Sequence, residues 1–409
     1  MADAKDVKNV FLTATEHGDA EKVRKLLAEH SIEPDLTATR EGIGRSVLSV
    51  AATYGQTAVI SELLKGGANP ELKSTSQRIA LHEACIGGHL ESVRLLLDAT
   101  SNIDVGDING QTAAHLAAFN GETKVLKLLL DKGASMTARD IKGRQPAHLA
   151  AIRNHVPILQ LLFKSAIDLD CPCTAGKTPL HYSAQHGSFE ALVYLLGRNC
   201  DLTIQDKNLN LPLHHAARHD NLRCVQFLIR HGASLNATQG EGRTSSHIAA
   251  LYGGVNVLHW LLETNVDVSL VDNHGNTSLH NAAEGGKAEC FNCCLQHDAS
   301  LSVANIKGDT PLDTAKKYGH FLLMEKALRN EVVCPHCLKK CEKLEYDRTH
   351  APALVERSIT SVGTTAYTSP LPPFQHTPTQ HQQNLLRAEI KRKMRNQKLM
   401  DRNMVAKYL

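Results

Sequence analysis

The 409-residue sequence predicts an all-α repeat solenoid followed by a mostly disordered tail, and three observations carry that expectation. First, His82, His115, His148, His181, His214, His247 and His280 each stand 33 residues from the next, and Asp313 takes the following mark. A fixed period of this length is the signature of stacked units. Second, apolar residues recur at i, i+3, i+4 once per period, which puts all three on one helix face. Third, Gly falls twice per period, where a helix must stop.

Each unit reads as two helices. Thr112, Thr178, Thr244, Thr277 and Thr310 stand where the first should begin, and a Thr hydroxyl can cap the orphan amides there. Pro146, Pro179, Pro212 and Pro311 follow at the first helical position, where a missing N–H costs nothing. Small residues come next (Ala84, Ala117, Ala118, Ala150, Ala151, Ala216, Ala217, Ala249, Ala250), so neighbouring helices can approach closely. Gly18, Gly55, Gly88, Gly121, Gly187, Gly253, Gly286 and Gly319 close this helix, with Asn154 and Asp220 as substitutes that tolerate the left-handed region. The second helix carries sets such as Val93/Leu96/Leu97 and Leu258/Leu261/Leu262, and ends at Gly67, Gly133 or Gly232, or at Asn199, Asn265 or Asp298. Thr100 and Ala166 depart from that rule, so a different cap is expected at those two ends.

Gly176-Lys-Thr-Pro-Leu-His181-Tyr-Ser-Ala-Gln-His-Gly187 resembles the ankyrin repeat, whose signature is Thr-Pro-Leu-His-x-Ala-Ala-x-x-Gly. The resemblance covers residues 8–329 as about ten units. It implies helix pairs joined by projecting β-turn fingers and used as a protein-binding surface. It also implies that each periodic imidazole bonds to the Thr hydroxyl and nearby backbone. Spaced about 10 Å apart by helix packing, these histidines cannot share a metal.

The first unit lacks Thr-Pro-Leu-His and is polar, as a terminal cap should be. A longer loop around residues 31–44 joins it to the second and reads as a tolerated insertion, with a binding loop as the alternative. Unit six has Cys171-Pro-Cys173 in a turn. Unit seven has Leu209 and Leu211 in place of the finger Gly and the capping Thr. In unit nine Cys294 takes a Leu position, and Cys290 and Cys293 read as incidental. The tenth unit, with Asp313, Lys316 and Lys317, suits the second cap.

Beyond the stack, residues 330–351 are Cys-rich, 352–383 are a Pro/Thr/Gln/His-rich linker that cannot bury a core, and 384–409 read as a basic helical tail. From residue 331 onward there are 13 basic and 7 acidic residues, so the tail is net positive in a chain of net charge +3. The first residues hold no apolar leader segment, and the 11 Cys read as reduced thiols, so a cytoplasmic or nuclear location is expected. Candidate zinc ligands are Cys334, Cys337, Cys341 and His350, with His336 as an alternative fourth, because a Cys-x-x-Cys turn supplies two ligands of a tetrahedral shell. No other cofactor is expected.

No phosphate loop, nucleophile elbow, kinase motif set or carboxylate pair stands in the chain, so an enzyme is not expected. Function then lies on the surface. In a solenoid of the family resembled, the concave groove is lined by first-helix positions one, four and five residues after the periodic His. These offer Phe119, Arg153, Tyr182, His186, His215, Arg218, His219 and Tyr252, rich in the aromatic and Arg types that dominate binding interfaces. The three histidines among them could make binding pH-sensitive. The expected role is a protein-binding scaffold or adaptor with the tail as a second interaction or localisation element. It would bind one or more proteins, with no small-molecule substrate, nucleic acid or membrane span expected. A substrate-recognition subunit of a protein-modifying complex such as a ubiquitin ligase, or a nuclear regulator with a basic tail, are the rival readings. Asn236 resembles the asparagine hydroxylated in some ankyrin repeats.

Overall fold

The computed structural model describes residues 4–338, apart from 30–34, 36, 39–43, 265 and 330. Cys341, His350, the expected linker 352–383 and the basic segment 384–409 lie outside the described residues, as does Asn265.

Among the described residues, twenty helices alternate in two rows. The inner row is α1 (Ala4–His17), α3 (Val47–Thr53), α5 (Ala80–Ile86), α7 (Ala113–Asn120), α9 (Pro146–Ile152), α11 (Pro179–His186), α13 (Pro212–Arg218), α15 (Ser245–Tyr252), α17 (Ser278–Glu284) and α19 (Pro311–Lys317). The outer row is α2 (Ala20–Glu29), α4 (Thr57–Lys65), α6 (Leu90–Ala99), α8 (Thr123–Asp131), α10 (Val156–Lys164), α12 (Phe189–Leu196), α14 (Leu222–Arg230), α16 (Val255–Glu263), α18 (Ala288–Gln296) and α20 (Phe321–Leu328). A two-residue antiparallel pairing of β1 (Thr37–Ala38) with β2 (Arg45–Ser46) occupies the loop between units one and two. Ser46 then caps α3 by accepting from the Ser49 N–H.

Packing is continuous from Phe11 to Cys337 through one apolar cluster. The inner helices bury Ala on the faces they show one another, as in Ala117, Ala150, Ala184 and Ala217, and they pack more closely along the stack than the outer helices do. Closer spacing on one side bends a stack toward that side, so the inner row lines the concave face. The outer row fills the space behind with Leu and Val, among them Val93, Leu126, Leu159, Leu192 and Leu258.

The periodic histidines tie unit to unit. In all seven, Nδ1 accepts the N–H of the residue capping its own helix, as Gln145 donates to His148 at 3.0 Å. The Thr hydroxyls of Thr112, Thr178, Thr244 and Thr277 lie 2.9, 2.9, 2.7 and 2.9 Å from the same nitrogen. Nε2–H then donates to a carbonyl in the next unit: Val105, Arg144, Lys177, Asn210, Ala237, Leu270 and Asp309 in turn. A neutral imidazole with its proton on Nε2 satisfies both bonds. Burial holds these rings neutral, pushing His82, His148 and His181 down to about 4.

Two further ties have mixed residue types. The residue just before an outer helix reaches back to the end of the inner helix in the unit before: Gln56 to the Glu16 carbonyl, His89 to Thr53, His155 to Phe119, Ser188 to Ile152, and Asn221 to Ala184 and Gln185. The fingers are joined at their tips, the N–H of Ile108, Ile141, Thr174, Lys207, Gly240, Asn273 and Ile306 each donating to a carbonyl of the finger before.

Helix ends follow the sequence with one correction. Asn154, Asp220, Asn199 and Asp298 take positive φ as expected. Ala166 does the same, at φ +56, so this end is capped in the ordinary way by a residue ill suited to it. Thr100 does differ: it is extended, and its hydroxyl donates to the Leu96 carbonyl at 2.7 Å.

Candidate protein-binding groove

Buried carboxylates shape the fingers. Asp107, Asp140, Asp206 and Asp272 each accept, through Oδ1, from the backbone N–H groups two and four residues on, which closes the turn. Oδ2 meets an Arg in three of the four: Arg78 on Asp107, Arg144 on Asp140 and Arg243 on Asp272. Arg144 shares a unit with its carboxylate, whereas Arg78 and Arg243 reach over from the unit before. Asp206 has Asn210 at the first of these positions and Lys177 at the second, and His215 completes the site instead, its Nε2 donating to Asp206 Oδ2 at 2.8 Å. Burial works against the Asp206 charge, but the His215 N–H and the backbone N–H groups of Asn210 and Asn208 outweigh it and hold the carboxyl well below its usual range. These finger carboxylates escaped the sequence reading. Their signal was an Asp eight residues before the periodic His, masked by Cys173, Gln239 and Asn305 in other units.

The expected groove residues fall into pairs. The Arg153 guanidinium lies over the Phe119 ring, 4.9 Å from its centre. Tyr182 stacks on His186, with Lys177 Nζ 5.7 Å from the tyrosine ring centre. Arg218 covers Tyr252 at 4.0 Å, and His219 caps α13 beside it. One expectation needs correction: His215 is only 6% exposed, because its imidazole is bonded to the buried Asp206, where the other three carboxylates meet an Arg. It supports the groove floor and offers no free face to a partner.

Around units seven and eight this surface deepens into a concavity of about 490 Å³, lined by Lys207, Leu209, Arg218, Glu241, Arg243 and Tyr252 among others. Leu209 stands at the finger-Gly position with φ +59 and is 48% exposed. A leucine in the left-handed region costs roughly 1–2 kcal/mol, and here the side chain lies beside Gly240 with about half of its surface still open. Positive charge gathers nearby. His219 is held below its usual value by burial, then by Arg218, His215, His186 and Lys177, and His186 by burial and Lys177. Both rings are therefore neutral near pH 7, in a field that favours an anion.

The Cys-rich segment is placed in part. Cys334 and Cys337, the latter on a single helical turn at 335–338, come together with His259 of α16 and Cys293 of α18. Cys293 is thus no incidental thiol. His336 turns away from the group, its Nε2 bonded to Asn256 Oδ1 at 2.6 Å and its ring stacked on His259. The neighbouring Cys334 and Cys337 thiols push the His259 imidazole up to about 9. The Cys293 and Cys337 thiols pull Cys334 well below the usual thiol range.

Fold and groove together define a solenoid of helix pairs with a finger-edged concave face, a class built for holding other proteins. Residues 48–140, 136–206, 194–272 and 246–331 match the family model described as ankyrin repeats in three copies, and the chain belongs to the ankyrin-repeat family. Ankyrin repeats are typically non-enzymatic modules of protein–protein interaction. Among solved structures, the human ASB11 ankyrin repeat domain is similar over 54% of this chain and 97% of that one, at 26% identity and a TM-score of 0.49. No helix among the described residues is long and apolar enough to cross a membrane.

Proposed function

We propose that this chain is a non-enzymatic scaffold or adaptor of the cytoplasm or nucleus that seats a protein partner in the concave face of units six to eight. The C-terminal segment serves as a second attachment or localisation element. One observation carries the reading: the concavity holding Leu209, Arg218 and Tyr252, where an exposed leucine is kept in a strained backbone conformation. Backbone strain kept at a half-exposed apolar residue on a concave face points to a role beyond the fold. The chemistry favours a partner that presents acidic groups toward Lys177, Lys207 and Arg218 and an apolar side chain toward Leu209 and Tyr252. Two attachment points on one chain raise the effective concentration of whatever they hold.

A quantitative pull-down with three baits tests it: the intact chain, residues 1–330, and the intact chain carrying Arg218→Glu with Tyr252→Ala. Each bait is first matched by helical circular dichroism. The partner should be kept by the first two and weakened about tenfold or more by the groove changes. Binding that ignores those changes and vanishes with the tail would move the function to residues 331–409.

A further inference from the structure

We infer that His259, Cys293, Cys334 and Cys337 form a closed tetrahedral zinc site that bolts the segment after the last repeat onto the outer helices of units eight and nine. The proposal does not depend on the groove.

Geometry is the first argument. Cys293 Sγ lies 3.7 Å and Cys337 Sγ 3.6 Å from His259 Nδ1, the two sulfurs are 4.0 Å apart, and all four ligand atoms fall within 4.8 Å of one another. Zinc binds Sγ at about 2.3 Å and imidazole nitrogen at about 2.0–2.1 Å, so a regular tetrahedron has S···S edges of about 3.8 Å and S···N edges of about 3.5 Å. The three separations match those edges to within a few tenths of an ångström. A disulfide would need sulfurs at about 2.05 Å, half the distance found.

The surroundings form the second argument. Cys293, Cys334 and Cys337 are buried, and the His259 side chain is 12% exposed, so the ligand atoms converge away from water. His259 turns Nδ1 to the sulfurs and Nε2 toward the Glu263 carboxylate, 3.6 Å away, the side on which a metal-binding imidazole takes its outer carboxylate. The Cys334 N–H donates to Asn292 Oδ1, and the Asn292 amide donates to the Ala327 carbonyl, which locks the entry of the Cys-x-x-Cys turn onto α18 and α20. Three thiolates and one imidazole leave no open position, so the site is structural and takes a borderline-soft d10 cation. Its ligands come from α16, α18 and the chain beyond α20, so one ion would brace three successive units at the end of the stack.

The intact chain, purified without chelators, is assayed for metal by mass spectrometry and then reloaded with cobalt(II) to read the thiolate charge-transfer and tetrahedral d–d absorption. We expect about one zinc per chain and a tetrahedral cobalt spectrum. Cys293→Ser and His259→Ala should each reduce bound metal at least several-fold and alter that spectrum, while Cys85→Ala, remote in unit three, should change neither. Matched helical circular dichroism shows that the stack survives. Should Cys293→Ser fail that check, His259→Ala, on the better exposed helix face, decides the matter. A metal-free chain with a silent cobalt spectrum overturns the site. So does full metal retention in both variants, which would assign Cys334 and Cys337 to a shell completed by Cys341 and His350.

Discussion

Leu209 shows how much one residue can reveal. Every other finger Gly position from unit four onward is occupied by Gly at positive φ, and Leu209 keeps the same φ with a side chain that pays for it. Leu209→Gly should therefore stabilise the chain by about 1 kcal/mol, raising the thermal midpoint by a degree or more, while weakening partner capture in the groove. A lowered midpoint would show that the leucine packs usefully. Its misplacement was visible in the sequence, since a fixed period exposes any residue that breaks it. His215 was not: a position one residue after the periodic His reads as surface until it is connected with Asp206, a carboxylate that has no Arg at 177 or 210 to meet it. The zinc ligands were half legible. The spacing of Cys334 and Cys337 announces a ligand pair, but His259 and Cys293 lie on two helices of other units, and only packing brings them near.

At the scale of the element, the unit is defined by its donors. His148 accepts inside its own unit and donates at 3.1 Å to Lys177 in the next. His148→Ala strips both bonds; the Lys177 carbonyl keeps the Cys173 N–H at 2.9 Å, but the buried Gln145 N–H is left without a partner, a loss of about 1–3 kcal/mol. Chemical denaturation at constant slope should report it. A change within a few tenths of a kcal/mol would mean that water replaces the ring. Asp313 explains why the tenth unit differs. Its carboxylate accepts from the Thr310 N–H and hydroxyl, so it keeps the inner half of the histidine's work, but it has no proton to send onward. The period made these histidines easy to find. The ties from Gln56, His89, His155, Ser188 and Asn221 stayed hidden, because the position is constant while the residue type changes.

Across the whole molecule, the buried imidazoles couple stability to pH. Burial lowers all seven, three of them to about 4, from an ordinary 6.5. The unfolded chain then takes up protons first as pH falls. Stability is full above about pH 6.5 and drains away between there and about pH 4, at about 1.4 kcal/mol for each pKa unit of each ring. Thermal midpoints followed by circular dichroism should fall steeply across that window and stay level between pH 7 and 8. A flat profile down to pH 4.5 would contradict the neutral Nε2–H assignment. Because the stack adds up unit by unit, the loss should scale with the number of histidine-bearing units retained.

The histidine bonds all run the same way, each ring donating to the unit that follows. Such a series can be lengthened by copying. An in-frame duplicate of any of the seven histidine-bearing units supplies one new donor and one new acceptor, leaves no partner widowed, and arrives with a full set of groove positions free to diverge. The seven-mark ruler is thus a structure that tolerates its own lineage's commonest accident, and its length is open to selection without the fold having to be reinvented.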